Sequence, residues 1–164
     1  MLKWQDSSLN EKKLIIFFID STSFRHIKKE LVKIEKASFQ TPWTENMFND
    51  EANNPISHFW GLYLQPEKFI GYLCCWLLTD EMQLMKIAIH TEYRRKGYGR
   101  YFLTQLLEYG LSKNIKSIWL EVRRSNTAAG SLYRSCGFKD VGNRPAYYNN
   151  PTEDALLMTY YNNI

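Results

Sequence analysis

The stretch from Gln83 to Leu111 constrains this chain most. A β-rich segment runs through Tyr93-Arg94-Arg95-Lys96-Gly97-Tyr98-Gly99-Arg100 straight into a helical segment with an apolar stripe. A strand, a basic glycine turn and a helix in immediate succession make an anion cradle. Two glycines two residues apart let the backbone curl so that successive N–H groups converge, and the following helix aims the positive end of its dipole at the same place. Arg94, Arg95, Lys96 and Arg100 add side-chain charge there. A P-loop would need four residues between its glycines and then Gly-Lys-Ser/Thr, and a dinucleotide fingerprint would need a third glycine where Phe102 stands. What remains is Arg94-x-x-Gly97-x-Gly99, an arc suited to a pyrophosphate. A surface turn made of Lys, Arg and Gly is the plain alternative, so the neighbouring elements must decide.

Periodicity supplies those neighbours. Leu14 to Ile19 reads as a buried strand, too short to span a bilayer or to serve as an export signal. Ser23 can cap a helix carrying Ile27, Leu31, Ile34 and Phe39 at helical spacing, ending near Thr41-Pro42. Thr44 can cap a second, short helix. His58 to Leu64, Phe69 to Leu78 and Met82 to Ile89 read as a three-strand meander, with Gln65-Pro66-Glu67-Lys68 as the first turn. The helix from about Gly99 has Phe102, Leu103, Leu106 and Leu107 on one face and Gly110 as its stop. In the strand Ser117 to Arg123, Ile118, Leu120 and Val122 alternate with Trp119, Glu121 and Arg123. Ser125-Asn126-Thr127 opens a last helix closed by Gly137, and Phe138 to Val141 and Ala155 to Tyr160 complete the sheet. A meander followed by strand-helix-strand-helix-strand is a mixed α/β sheet of the α+β type.

At 164 residues, with 45% hydrophobic residues and no repeat or low-complexity break, residues 1–164 read as one packed domain, 1–13 being a candidate N-terminal extension. Three cysteines without metal spacing argue against a disulfide framework and fit a reducing cytoplasm. The scattered His26, His58 and His90 offer no metal site. A net charge of +4 suits an anionic ligand, a ribosomal neighbourhood or RNA without choosing among them.

Glu121, Asn126 and Tyr133 follow the cradle along the chain. Each has an ordinary reading: a surface ion pair beside Arg123 and Arg124, a helix cap, and core filling. Taken together, Arg94-Arg95-Lys96-Gly97-Tyr98-Gly99, then Leu120-Glu121-Val122-Arg123, Asn126, and Leu132-Tyr133-Arg134-Ser135-Cys136-Gly137-Phe138 resemble the GCN5-related N-acetyltransferases (GNAT). Within them the chain looks most like the ribosomal-protein-alanine N-acetyltransferases. Ile34-Glu35-Lys36-Ala37-Ser38-Phe39 with Pro42-Trp43, the pair Tyr147-Tyr148, and Glu153-Asp154-Ala155-Leu156-Leu157-Met158 extend the likeness over most of the chain beyond about Ser23.

The resemblance implies a GNAT fold: a mixed, mostly antiparallel sheet of about six to seven strands, helices on both faces, and a central splay between Met82–Ile89 and Ser117–Arg123. It implies acetyl-CoA as donor substrate and no metal. Arg95, Lys96, Gly97, Tyr98, Gly99 and Arg100 would surround the pyrophosphate, the backbone of Ile87, Ala88 and Ile89 would pair with the pantetheine arm, and Asn126 would touch the donor further on. Glu121 would be the general base, directly or through water, Tyr133 the general acid, and Tyr147 and Tyr148 would bind the acceptor. The implied reaction is direct transfer through a tetrahedral intermediate to the N-terminal α-amine of a protein, a small-subunit ribosomal protein starting with alanine, in the cytoplasm and with neither membrane nor nucleic-acid binding required. Two rivals stand beside it: the same chemistry on a small-molecule amine or an internal lysine, and a non-catalytic ribosome- or RNA-binding domain. Lys86 where asparagine is common, His90-Thr91 in place of Asp-Pro, Gly130 inside a helix, and the opening of the chain depart from the family pattern.

Overall fold

The computed structural model describes residues 13–65 and 68–162. The candidate extension, apart from Lys13, and the centre of the Gln65–Lys68 turn fall outside them. Seven strands form one sheet: β1 (Leu14–Phe18), β2 (Ser57–Leu64), β3 (Lys68–Leu78), β4 (Glu81–Ile89), β5 (Ser117–Arg123), β6 (Lys139–Tyr148) and β7 (Glu153–Tyr161), in the order β1-β2-β3-β4-β5-β7-β6. Among the described residues four helices accompany them: α1 (Ser21–Ser38), α2 (Glu45–Asn53), α3 (Tyr98–Ser112) and α4 (Thr127–Ser135). The β1–β2, β5–β7 and β6–β7 pairs are antiparallel, whereas β4–β5 is parallel. The chain divides into two compact units, one holding residues up to Cys75 and Lys86–Tyr98, the other Trp76–Met85 and the residues from Gly99 on.

In the first unit, the cap of α1 lies three residues before the expected one. Asp20 accepts hydrogen bonds from the N–H groups of Thr22 and Ser23, while the Ser23 hydroxyl accepts from the Asp20 N–H. Ser23 is thus the third helical residue of a capping box rather than the cap itself. The helix stops at Ser38, and Phe39 is already extended (φ −130°), so it lies beyond the stripe of Phe24, Ile27, Leu31 and Ile34 that the helix buries. Thr44 caps α2 as its sequence suggests. Phe48, Phe59 and Tyr72 form an aromatic core, Phe48 stacked on Phe59 and edge-on to Tyr72. The hydrogen bonds at Asp20 hold its carboxyl below its ordinary value. Asp20→Ala should therefore cost about 1 kcal/mol near neutrality. A depressed carboxylate contributes stability that is complete above its unfolded value and disappears as pH falls through the folded one, so urea titrations of the two proteins should converge in acid, below the ordinary aspartate value.

In the second unit, Phe102, Leu103 and Leu106 of α3 are buried, as are Ile118, Leu120 and Val122 of β5. Gly110 does not end α3. The helix continues to Ser112, and Asn114 takes the left-handed conformation (φ 56°) at its exit. An added Cβ at Gly110 would lie 3.0 Å from Ile118 Cδ1, so close packing accounts for that glycine. α4 ends at Gly137 (φ 94°) as read from sequence. β6 runs to Tyr148, well past Val141, despite Pro145. It is an outermost strand, where a residue without an N–H breaks no ladder. Its pairing shifts register between Arg144 and Tyr148.

Candidate active site

The glycine turn follows a short 3-10 turn, Thr91–Tyr93, entered through His90, whose Nδ1 accepts from the Glu92 N–H at 3.3 Å. His90 thereby performs the capping that an aspartate would perform there. The curl that follows is made by Arg95 (φ 61°) and Gly97 (φ 86°) rather than by the two glycines, since Gly99 lies within the helix and outside the positive-φ set. Gly97 is required for its φ and not for space, because nothing lies within 4 Å of an added Cβ. Helix geometry leaves the N–H groups at the start of α3 without intrahelical acceptors. Among the described residues, no other backbone acceptor is bonded to those of Gly97, Tyr98, Gly99 or Arg100. A run of backbone donors without backbone acceptors is what an anionic group needs.

The basic side chains around it are less free than the sequence suggests. Arg94 is a strut: its Nε donates to the Ile89 carbonyl at 2.8 Å and its Nη2 to Ser38 Oγ at 2.8 Å. Lys96 Nζ donates to the Glu92 carbonyl at 2.8 Å and sits over the Tyr93 ring. Arg100 is tied to Ser135, through its carbonyl at 3.1 Å and its hydroxyl at 2.8 Å. Arg95 is exposed, with no hydrogen bond among the described residues. Most of the cradle's polarity therefore comes from the backbone.

Upstream, Ile87, Ala88 and Ile89 form the end of β4. An added Cβ at Gly71 would come within 2.7 Å of the Ala88 carbonyl, so only glycine allows β3 to pass so close. The pairing of β4 with β5 covers Glu81–Leu84 against Ser117–Leu120, and β5 continues beyond Leu120 on its β7 side alone. Immediately before Ile87, Lys86 joins a buried network. The Glu35 carboxylate is fully buried and accepts from Lys86 Nζ, from the Tyr72 hydroxyl and from the Trp43 N–H at 2.6 Å. The Lys86 ammonium also lies 4.0 Å from the Phe39 ring centre and 4.9 Å from that of Trp43. Burial lowers the Lys86 pKa, opposed by Glu35, and raises that of Tyr72 well above its usual value.

In the second unit the structure brings together Glu121, Tyr133, Tyr147 and Tyr148. Glu121 is on the less buried side of β5, yet its side chain is only 9% exposed. Arg144 Nη1 stands 2.7 Å from Oε1, but no N–H points along that line, so this buried oxygen is ion-paired without being hydrogen-bonded. Tyr147 is hydrogen-bonded to the same carboxylate, which raises its pKa. Tyr148 is raised to about 12, by burial first and then by Glu121, and Arg123 lies 4.3 Å from its ring centre. Tyr133 is buried against Phe138, and burial, helped by Tyr148, pushes its pKa far up. Its hydroxyl has no partner among the described residues. Asn126 is the N-cap of α4, its side chain accepting from the Ala129 N–H at 3.2 Å. The partner of Arg123 is Glu153 rather than Glu121. Arg144, absent from the sequence reading, belongs to the site. Its register opposite Ala155 depends on the full length of β6.

Comparison with known proteins shows what the chain is similar to. The sequence model of the acetyltransferase (GNAT) family matches residues 28–138. A [ribosomal protein bS18]-alanine N-acetyltransferase of Haemophilus ducreyi is 33% identical over 135 residues, covering 80% of this chain and 91% of that protein. The protein of that name from Escherichia coli K12 is 35% identical over 130 residues, covering 76% and 84%. The crystal structure of the ribosomal-protein-S18-alanine N-acetyltransferase from Escherichia coli superposes with a TM-score of 0.80 at 28% identity, over 90% of this chain and 93% of that one.

Proposed function

The chain belongs to the acetyltransferase (GNAT) family, and on that premise we propose that it moves the acetyl group of acetyl-CoA onto the N-terminal α-amine of a protein. The acceptor we assign is a small-subunit ribosomal protein of the bS18 type beginning with alanine, as the names of the relatives suggest. We read the chain as a single acetyltransferase domain working in the cytoplasm. No helix among the described residues is long and apolar enough to cross a membrane. The observation that carries the proposal is the sequestered Glu121 carboxylate with an unsatisfied oxygen, accompanied by the buried side chain of Tyr133.

The donor substrate supplies an activated thioester. Its pyrophosphate fits the free N–H groups of Gly97, Tyr98, Gly99 and Arg100, with Arg95 and Lys96 adding charge. The backbone of Ile87, Ala88 and Ile89 offers a strand edge to the pantetheine arm, and Asn126 keeps its amide nitrogen free after capping α4. Gly97→Val would force a β-branched residue to φ 86° where no neighbour obstructs it. Calorimetry should then find acetyl-CoA binding abolished while the melting transition stays cooperative.

An α-amine has a pKa near 7.7–8.0 against about 10.4 for lysine, so at pH 7 roughly a tenth of it is already neutral. A carboxylate base suffices for the remainder, and Glu121 takes that proton directly or through water. Attack gives a tetrahedral intermediate whose collapse expels a thiolate. Tyr133 keeps its proton throughout the working pH range because burial holds its pKa up. In water, tyrosine to thiolate is uphill by about 1.5 pKa units, and burial widens that gap by raising Tyr133, so its proton passes only as the C–S bond breaks and charge gathers on sulfur. Tyr147 and Tyr148 line the acceptor side. Purified protein given labelled acetyl-CoA and peptides starting with Ala, Ser or Met should label the Ala peptide fastest, and labelling of an internal-lysine control alone would overturn the assignment.

A further inference from the structure

We propose that Arg144 is a displaceable counter-ion of Glu121, its guanidinium holding the seat that the acceptor's ammonium takes on binding; the inference rests on reading Glu121 as the acceptor's base. Buried polar atoms normally find hydrogen bonds, and Glu121 Oε1 has none although a guanidinium nitrogen lies 2.7 Å away. The contact neutralises charge and leaves the oxygen's directional demand unmet. The other guanidiniums around β6 and β7 are held differently. Arg123 donates to Glu153, Pro151 and Asn149, and Arg134 grips Asp140 through two nitrogens at 3.1 and 2.8 Å. Arg144 makes no aligned hydrogen bond among the described residues, is 51% exposed at its side chain, and sits where the β6 register shifts.

Such a group leaves at little cost. Its head is already half in water, and the Tyr147 ring 5.5 Å away offers a resting surface. An ammonium is compact and carries three donors that rotate freely, so it can approach Glu121 more closely and supply the missing bond. Every cationic acceptor must compete with Arg144, whereas an acetylated terminus has nothing to exchange for it. Arg144 therefore acts through Glu121 as a selectivity residue, sparing the free enzyme an unneutralised buried carboxylate and favouring release of the uncharged product.

Arg144→Gln removes the competitor. The acceptor KM for an Ala-starting peptide should fall roughly three- to tenfold, the size of a partly exposed ion pair, while acetyl-CoA affinity stays unchanged and the melting temperature falls because Glu121 is left without its counter-ion. Arg144→Lys keeps a competing cation there and should not lower the KM. Calorimetry on the CoA-loaded protein gives the same comparison without turnover: Arg144→Gln should tighten the free-amine peptide and leave its N-acetylated analogue unaffected. An unchanged or raised KM, or equal changes for both peptides, overturns the proposal. If wild-type protein fails to acetylate any terminal amine, the functional reading falls, and the calorimetric comparison still decides whether Arg144 competes with an ammonium.

Discussion

Glu35→Ala should destabilise the folded chain by about 3–5 kcal/mol, read as a lower urea midpoint, because it leaves the charge of Lys86 buried without its partner. Glu35 is fully buried on α1, and its carboxylate is the common acceptor for groups from β3, from β4 and from the α1–α2 connection. Removing it strands the Tyr72 hydroxyl and the Trp43 N–H as well as the ammonium, and a buried polar group left unpaired costs about 1–3 kcal/mol. Glu35→Gln keeps the shape and two of the hydrogen bonds, so its loss should be smaller. The double change Glu35→Leu with Lys86→Met should recover much of the deficit, since apolar replacement of a buried pair is often neutral. An alanine variant within about 1 kcal/mol of wild type would show that the ion pair contributes little.

Glu121→Gln should slow acetylation of an Ala-starting peptide by about 10²-fold or more at pH 7, the usual scale for losing a general base. The deficit should shrink as pH rises past about 8, where the α-amine arrives already neutral and needs no base. Tyr133→Phe should cost a comparable factor with a flat pH dependence, because Tyr133 keeps its proton across that range. Both variants should bind acetyl-CoA like the wild type. Initial rates over pH 6–9 check this, and equal turnover in all three proteins would remove both residues from the chemistry.

Much of this was legible in the sequence where the relevant physics is local. The β5 alternation, the Thr44 cap, the Gly137 stop and the strand-turn-helix around Gly97 depend on residues a few positions apart, and these appear in the fold. The α1 cap was misplaced because Asp20 and Ser23 are both capping residues, and only the reciprocal hydrogen bonds assign their roles. The charge at the glycine turn was overcounted, since the acceptors for Arg94 and Arg100 lie at Ser38 and Ser135, far away in sequence. Nothing in composition links Glu35 with Tyr72 and Lys86, 37 and 51 residues away. The Phe138–Val141 segment stops short of the end of β6 because Gly142, Asn143 and Pro145 carry no strand pattern, and Arg144 lies in the part beyond it. The gathering of Glu121, Tyr133, Tyr147 and Tyr148 reached the sequence reading only through family likeness, because separate elements of the second unit bring them together.

The outer margin of β6 also bears on how a polypeptide can approach. Pro145 offers no donor there, and two breaks in pairing, at Asp140/Gly142 and Arg144/Tyr148, keep that margin from presenting a regular row of amides and carbonyls. A passing chain cannot zip itself on sideways and extend the sheet. The same irregularity guards the protein against polymerising through this edge with copies of itself.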